Sequence, residues 1–192
     1  MTLPSRKPAT YSDILALPEH VIGEILDGEL VVSSHLAPRL GHAATAALAE
    51  LSPFCRRTGE ASGMPGGWWA FFGPELHLGP HVLVPDLAGW RRERMPSLPD
   101  TAWFEMPPDW VCEVISPSSS RRDRIQKARI YRECLVEWLW LVDPLAQTVE
   151  VMHAETGRWV VMGGWEGEDA QARMPPFDAM AIDLARWWDS GE

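Results

Sequence analysis

A chain of 192 residues, 46% of them hydrophobic, is long enough to bury a core, and no apolar run in it is long enough to cross a bilayer. Seventeen basic residues against 27 acidic ones leave a formal charge of −10, which argues against a uniformly basic nucleic-acid surface and requires any phosphate contact to be local. Cys55, Cys112 and Cys134 show no CxxC spacing, against a disulfide framework or a zinc ribbon, and the N-terminus lacks the apolar core of a signal peptide, so the expected location is the cytoplasm.

Taken in chain order, TYSDILAL predicts a short helix, with Thr10 as N-cap and Asp13 completing a capping box. EILDGELVVSS reads as a hairpin, two short apolar strands about the favoured turn Asp27-Gly28. Alanine and leucine spacing predicts a helix from about His42 to Arg57, and GEASGMPGG follows as a loop. WWAFFGPELHLG and HVLVPDLAGWRR each read as a strand, with a turn near Gly79-Pro80. RERMPSLPDTAWFEMPPD is proline-rich and irregular, WVCEVIS is a strand, and SSSRRDRIQKARIYREC is a helix. VEWLWLVD, TVEVMHAE and RWVVMGGW form a meander with turns at Asp143-Pro144 and Thr156-Gly157, and AIDLARWWDS is a short terminal helix. The order predicts a mixed α/β fold, a mixed central sheet flanked by helices, with an N-terminal helix and hairpin. It predicts one domain over residues 10–192 after a flexible tail, residues 1–9.

One carboxylate is out of place. Glu113 interrupts the apolar run Trp110-Val111-Cys112-Val114-Ile115, and burying it without a partner would cost several kcal/mol, by order of magnitude. With the strand period of two, Glu113 shares a face with Val111 and Ile115. Asp86 follows Pro85 at the end of another apolar run, where proline marks a bend or strand edge. If the two strands are neighbours, the two carboxylates converge, and a hard divalent ion suits such a pair. Lys127, Ile130, Tyr131 and Cys134 form an i, i+3, i+4, i+7 stripe, so Lys127 lies toward the core-facing side of its helix. It is one of two lysines, with Lys7, against fifteen arginines. From Arg121 to Arg132 six basic residues (Arg121, Arg122, Arg124, Lys127, Arg129, Arg132) accompany one acid, Asp123, a local charge of about +5. The alternatives at this point are a core arginine facing Glu113, an ordinary turn role for Asp86, a Lys127 that extends to water, and a solvated basic helix face.

These residues resemble the PD-(D/E)XK nuclease superfamily, and more closely its Uma-type branch of restriction-endonuclease-like proteins. The matching pieces are GEILDGELVV, His42 near the start of the next helix, VPDLAGW, the run from PPDWVCEVISPSSS to WLWLVDP, and TVEVMH, over roughly residues 11–188. The resemblance implies a restriction-endonuclease-like core. It puts Asp86 at the motif aspartate and Glu113 at the motif glutamate. The superfamily lysine would stand two residues later, where this chain has Ile115. In the Uma-type branch it has moved to the following helix, which is Lys127 here. Asp86, Glu113 and the Ile115 backbone carbonyl would then hold Mg²⁺ or Mn²⁺ for phosphodiester hydrolysis, with Lys127 orienting or deprotonating the water. Glu24 and His42 fall where the family carries supporting residues. Ser116, Asp123 and Tyr131 would support the site, Asp123 through an i, i+4 pair with Lys127. Arg121, Arg122 and Arg124 would grip neighbouring phosphates.

The reading is a metal-dependent nuclease acting on nucleic acid, DNA foremost, with no membrane partner. The alternative is a nuclease-fold binding or regulatory module without turnover, which the −10 charge favours. A zinc hydrolase built on His77 and His81 is weaker, because Gly79-Pro80 separates them. Trp68-Trp69 and Trp103 offer an apolar patch for a homodimer, which by analogy would suit double-strand cleavage.

Overall fold

The computed structural model describes residues 7–57, 65–117 and 119–189. The expected tail up to residue 6, most of the expected loop (residues 59–64) and Ser118 of the serine run lie outside these. In chain order the elements are α1 (Tyr11–Leu15), β1 (Val21–Leu26), β2 (Glu29–Ser34), α2 (Pro38–Glu50), β3 (Trp68–Phe72), β4 (Leu76–Leu78), β5 (His81–Leu83), β6 (Leu87–Arg91), β7 (Trp110–Val114), α3 (Ala128–Glu133), β8 (Trp138–Asp143), β9 (Thr148–Glu155), β10 (Arg158–Glu166) and α4 (Ala185–Trp188). A π-helical segment, Arg122–Lys127, leads into α3, and a 3₁₀ turn, Ser52–Cys55, follows α2.

Two sheets carry the architecture. The larger has six strands in the order β10-β9-β8-β7-β6-β3, and the smaller has four in the order β2-β1-β5-β4. β7 and β8 run parallel, while the other strand pairs are antiparallel. The predicted mixed sheet with helices, hairpin and C-terminal meander is the fold observed. The hairpin turn is tight because Asp27 and Gly28 both take positive φ, 55° and 79°, as a two-residue turn between twisted strands requires. Ala9, inside the expected tail, donates its amide to the Gly28 carbonyl at 2.8 Å.

The larger sheet divides the apolar residues into two layers, and β7 shows how. Trp110, Cys112 and Val114 enter the layer formed with α2 and α4. Val111 and Ile115 enter the layer under α3, beside Ala128, Ile130 and Tyr131. Leu40, Ala43, Ala44 and Ala47 are the buried stripe of α2, and the three small alanines let the helix lie close to the sheet.

The boundaries differ from expectation in three places. The helix expected from about His42 to Arg57 begins earlier, because Pro38 is well suited to a first turn, and ends at Glu50, because Pro53 cannot continue it. Each of the two strands expected between Trp68 and Arg92 is two strands. Gly73, at φ 55°, and Pro74 end β3, and Pro85 ends β5, so the chain leaves the larger sheet for β4 and β5 and returns at β6. The helix after β7 starts with a wide π-turn, in which the Ala128 amide bonds to the Asp123 carbonyl. Among the described residues no helix is long and apolar enough to cross a membrane.

Candidate active site

The Val84-Pro85-Asp86 segment is the seam between the sheets. In the β6–β7 register Leu87 faces Cys112, so the next step outward sets Asp86 opposite Glu113. The Val114 amide donates to Asp86 Oδ2 at 2.6 Å, which fixes the carboxylate at the end of β7. On the other side of the seam, β1 lies between β2 and β5, so its Glu24 is 4% exposed. Glu24 Oε1 accepts the Val84 amide at 2.9 Å. The two sheets thus deliver three carboxylates to the lining of one cleft.

The helix delivers the amine. Lys127 Nζ lies 2.7 Å from Glu113 Oε1 and 3.0 Å from Glu24 Oε1, and donates to the Val84 carbonyl at 3.4 Å. An ammonium has three donors, and these three acceptors use them all. Tyr131, one turn on, donates its hydroxyl to Glu113 Oε1 at 2.5 Å. The answer to the carboxylate in the strand is therefore a buried ion pair with a phenol, and the core-arginine alternative falls away. Among the described residues the bonds to Glu113 fall on Oε1 and the amide bond to Asp86 falls on Oδ2, so each carboxylate keeps a second oxygen.

These groups line a cleft of about 390 Å³, walled by the end of β2 and the loop after it and closed by Ser116, Ser119 and Arg122. Its electrostatics are strained. Burial pushes the Asp86 carboxyl up to about 6, against the opposing pull of Lys127 and the Val114 amide, with Asp123 and Glu24 adding repulsion. Burial likewise holds Glu113 well above the ordinary carboxylate range, and raises Asp123. Burial works to lower Lys127, but Glu113, Glu24 and Asp123 outweigh it, so the amine is held above the usual lysine range and is charged at neutral pH. Tyr131 is held well above a free phenol by burial and by Glu113.

Other residues singled out in the sequence fall as follows. Ser116 lines the cleft and forms a turn with Ser119, their hydroxyls 3.1 Å apart. Ile115 is buried, and its amide donates to Val142 at 2.7 Å. Asp123 is buried in the cleft, but among the described residues the acid partners of Lys127 are Glu24 and Glu113. The π-turn replaces the i, i+4 geometry, and Asp123 acts on Lys127 through its field while accepting from Ser119. Arg122 lines the cleft and Arg121 is exposed, whereas Arg124 is tied to Glu150 at 2.7 Å. Arg129 is tied to Asp27 and Glu133, so much of the local +5 is neutralised in the fold.

His42 does not join the cluster. Because α2 starts at Pro38, His42 falls in its second turn, exposed, with Nε2 3.1 Å from the Arg186 carbonyl. The cleft imidazole is His35, on the loop leaving β2, which no spacing rule singled out. The Val84 backbone was missed too, and its only signal is its place before a proline that interrupts the sheet. The tryptophan patch is also different. Trp68 is buried, the Arg92 guanidinium lies 3.3 Å over Trp69, and Trp103 stacks on His77. His77 pairs with Glu75, while His81 accepts the Asp27 amide, so the two histidines have separate partners.

Comparisons with known proteins cover most of the chain. A family model described as "Uma2: Putative restriction endonuclease" matches residues 9–185. A crystal structure described as a putative nuclease belonging to DUF820 from Anabaena variabilis ATCC 29413 is similar in fold, with a TM-score of 0.70 and 22% identity, over 94% of this chain and 98% of that one. No curated protein matches the chain.

Proposed function

The chain belongs to the Uma2 family of putative restriction endonucleases, and from that premise we propose that it is a divalent-metal-dependent nuclease that hydrolyses phosphodiester bonds, with DNA as the first candidate substrate. The observation that carries this reading is the meeting of Asp86, Glu113, Glu24 and Lys127 in one cleft at the seam of two sheets.

The donor set suits Mg²⁺ or Mn²⁺. It is all oxygen, and the raised Asp86 and Glu113 carboxyls mark a place where a cation would relieve repulsion and desolvation. Among the described residues no three His, Cys, Asp or Glu side chains stand close enough to enclose an ion. Asp86, Glu113 and the Ile115 carbonyl would hold the ion with waters completing the shell, the habit of magnesium rather than of a protein cage. A bound ion would supply Lewis acidity at the phosphate and a more acidic water.

The chain's own residues supply the rest. Lys127 carries a fixed positive charge, so it suits stabilisation of charge growing on the phosphoryl oxygens better than abstraction of a proton. Its donor to the Val84 carbonyl is the longest of the three, and is the one to release to a substrate oxygen. Tyr131 holds Glu113 Oε1, which leaves Oε2 for the cleft. Glu24 keeps the amine from swinging away from the seam. Arg122 and Arg121 are the candidates for flanking phosphates, and Arg124 takes that role only by leaving Glu150.

The test is cleavage of single- and double-stranded DNA and RNA with Mg²⁺, Mn²⁺ or EDTA, beside Asp86→Ala and Lys127→Ala. Metal-dependent cutting that falls by about a hundredfold or more in each variant supports the reading. A silent binding module is favoured by the neutralised basic run. It would bind Mn²⁺ through Asp86 and cut nothing, and that outcome would replace the nuclease reading.

A further inference from the structure

A second cleft, also of about 390 Å³, opens at the opposite end of β7, beside Asp109. Three arginines from two parts of the chain line it: Arg91 at the end of β6 with Arg94 just beyond, and Arg132 in α3. Asp109 lies at their base, 2% exposed. Its Oδ1 meets Nη1 of both Arg91 and Arg94 at 2.8 Å, and its Oδ2 accepts the Arg91 amide at 2.8 Å. Arg91 Nη1 also meets Glu137 at 2.6 Å, and Glu137 has His153 at 3.5 Å. Arg94 Nη1 reaches the Pro107 carbonyl at 3.4 Å. Arg132 donates from Nη1 to the Gly157 carbonyl at 2.9 Å, with Nη2 3.6 Å from Glu133.

Three guanidiniums line this cleft against two lining carboxylates, Asp109 and Glu137, with Glu133 beside Arg132, a concentration of arginine in a chain of net −10. One arginine would satisfy the buried Asp109. Among the described residues the bonds of Arg91 and Arg94 side chains in this cleft run through Nη1, so other donors of each fork are unspent. A fork anchored on one edge by a buried carboxylate is preorganised to meet a phosphoryl group on the other.

Leu135 is the second observation. It follows the Cys134 cap of α3 with φ 65°, a conformation that usually selects glycine. The turn is held by the C-cap bonds Leu135 N–H to the Arg132 carbonyl at 3.1 Å and Val136 N–H to the Tyr131 carbonyl at 2.9 Å, and it leaves the Leu135 side chain 82% exposed, lining this same cleft beside Val136. The cap accounts for the backbone, and what it leaves is a large exposed apolar side chain at the mouth of an arginine-lined cleft, a surface for a planar apolar group.

We propose that this cleft binds a 5′-phosphorylated nucleotide, the phosphoryl group on Arg91, Arg94 and Arg132 and the base against Leu135. The volume lies at the small-ligand end of the usual range of roughly 300–1,000 Å³, which suits one nucleotide and not a duplex. The nucleotide is either a free monophosphate or the phosphorylated end of a strand. The five residues of β7 separate this site from the carboxylate cleft by roughly 15 Å, so it does not rest on the nuclease reading.

Calorimetric titration of the full chain, at low ionic strength and with EDTA, tests this with inorganic phosphate, adenosine, adenosine 5′-monophosphate, and a short oligonucleotide with or without a 5′-phosphate. The monophosphate binds and adenosine does not. Arg132→Ala, which leaves Asp109 its two partners, weakens the monophosphate by about tenfold or more. Leu135→Gly relieves the backbone, weakens the monophosphate and leaves inorganic phosphate unchanged, while Asp86→Ala binds as the natural chain does. A preference for the phosphorylated oligonucleotide assigns the site to strand ends, and the reverse preference assigns it to free nucleotide. No binding of any phosphorylated ligand at millimolar concentration, or equal affinity in Arg132→Ala and the natural chain, overturns the proposal.

Discussion

Replacing Asp86 by asparagine removes a charge that the fold holds at a cost. The side chain keeps its shape and keeps an oxygen for the Val114 amide, which donates to Asp86 Oδ2 at 2.6 Å. What changes is ionisation. The Asp86 carboxyl is pushed from 3.8 up to about 6, chiefly by burial, so between those values the folded chain binds a proton that the unfolded chain has released. Stability from this group is therefore fully present below 3.8 and is lost as pH rises through about 6. By linkage the gap between 3.8 and about 6 corresponds to roughly 3 kcal/mol near neutral pH and about 1 kcal/mol near pH 4.5. Asp86→Asn stays neutral throughout and is expected to be more stable than the natural chain by those amounts. Urea unfolding with EDTA measures it. With a slope of roughly 2–3 kcal/mol per molar, the midpoint rises by about 1–1.5 M near pH 7.5 and by less than half of that near pH 4.5. If Asp86 holds the proposed ion, Mn²⁺ narrows the difference, because it stabilises only the chain that keeps its carboxylate. Equal or lower stability of Asp86→Asn at neutral pH, or a gain that does not shrink on acidification, would refute the account of Asp86 as a strained, ion-seeking carboxylate.

Lys127→Met leaves Glu113 and Glu24 buried without their ammonium. It should lose about 3–5 kcal/mol at neutral pH, less in acid where the carboxylates take protons, and urea unfolding at two pH values reads the difference. Tyr131→Phe removes one of the two donors to Glu113 Oε1. A loss of roughly 1.5–3 kcal/mol in thermal or urea unfolding is expected, with a fall in kcat larger than any change in KM, and unchanged kinetics would show that the phenol does not position Glu113. His42→Ala loses one bond to the Arg186 carbonyl, so stability falls by about 0.5–1.5 kcal/mol and cleavage rates stay within about twofold; a larger loss of rate would bring His42 back into the site.

The oddity of Glu113 was readable because a strand alternates: once Trp110, Cys112 and Val114 take one apolar layer, Val111, Glu113 and Ile115 must take the other, and they do. The inward turn of Lys127 was readable for the same reason, since Ile130 and Tyr131 bracket its face of the helix. The role of Glu24 in holding Lys127 was not. A glutamate near a hairpin turn looks like surface until β5 pairs on the far side of β1 and buries it, and that pairing spans more than fifty residues. The π-turn was not readable either, because its sequence, RDRIQK, has ordinary helical composition and the widening is set by what the segment packs against. His42 lies away from the cleft for a local reason: Pro38 opens α2 a turn earlier than the alanine pattern suggested, so His42 falls within the helix rather than at its start. The resemblance supplied the pairing of Asp86 with Glu113, which spacing alone left conditional on the strands being neighbours.

Because β7 and β8 lie side by side in the same direction, no tight turn can join them, and the chain must travel back the length of the strand before it re-enters the sheet. The returning stretch, residues 115–137, is the one that carries Ser116, Asp123, Lys127 and Tyr131. Closure of this crossover therefore also carries Lys127 and Tyr131 to the carboxylates that the sheets supply. New chain ends created by circular permutation would be tolerated at exposed hairpin tips such as Thr156-Gly157, whereas a break within the crossover would cost the protein its sheet and its chemistry together.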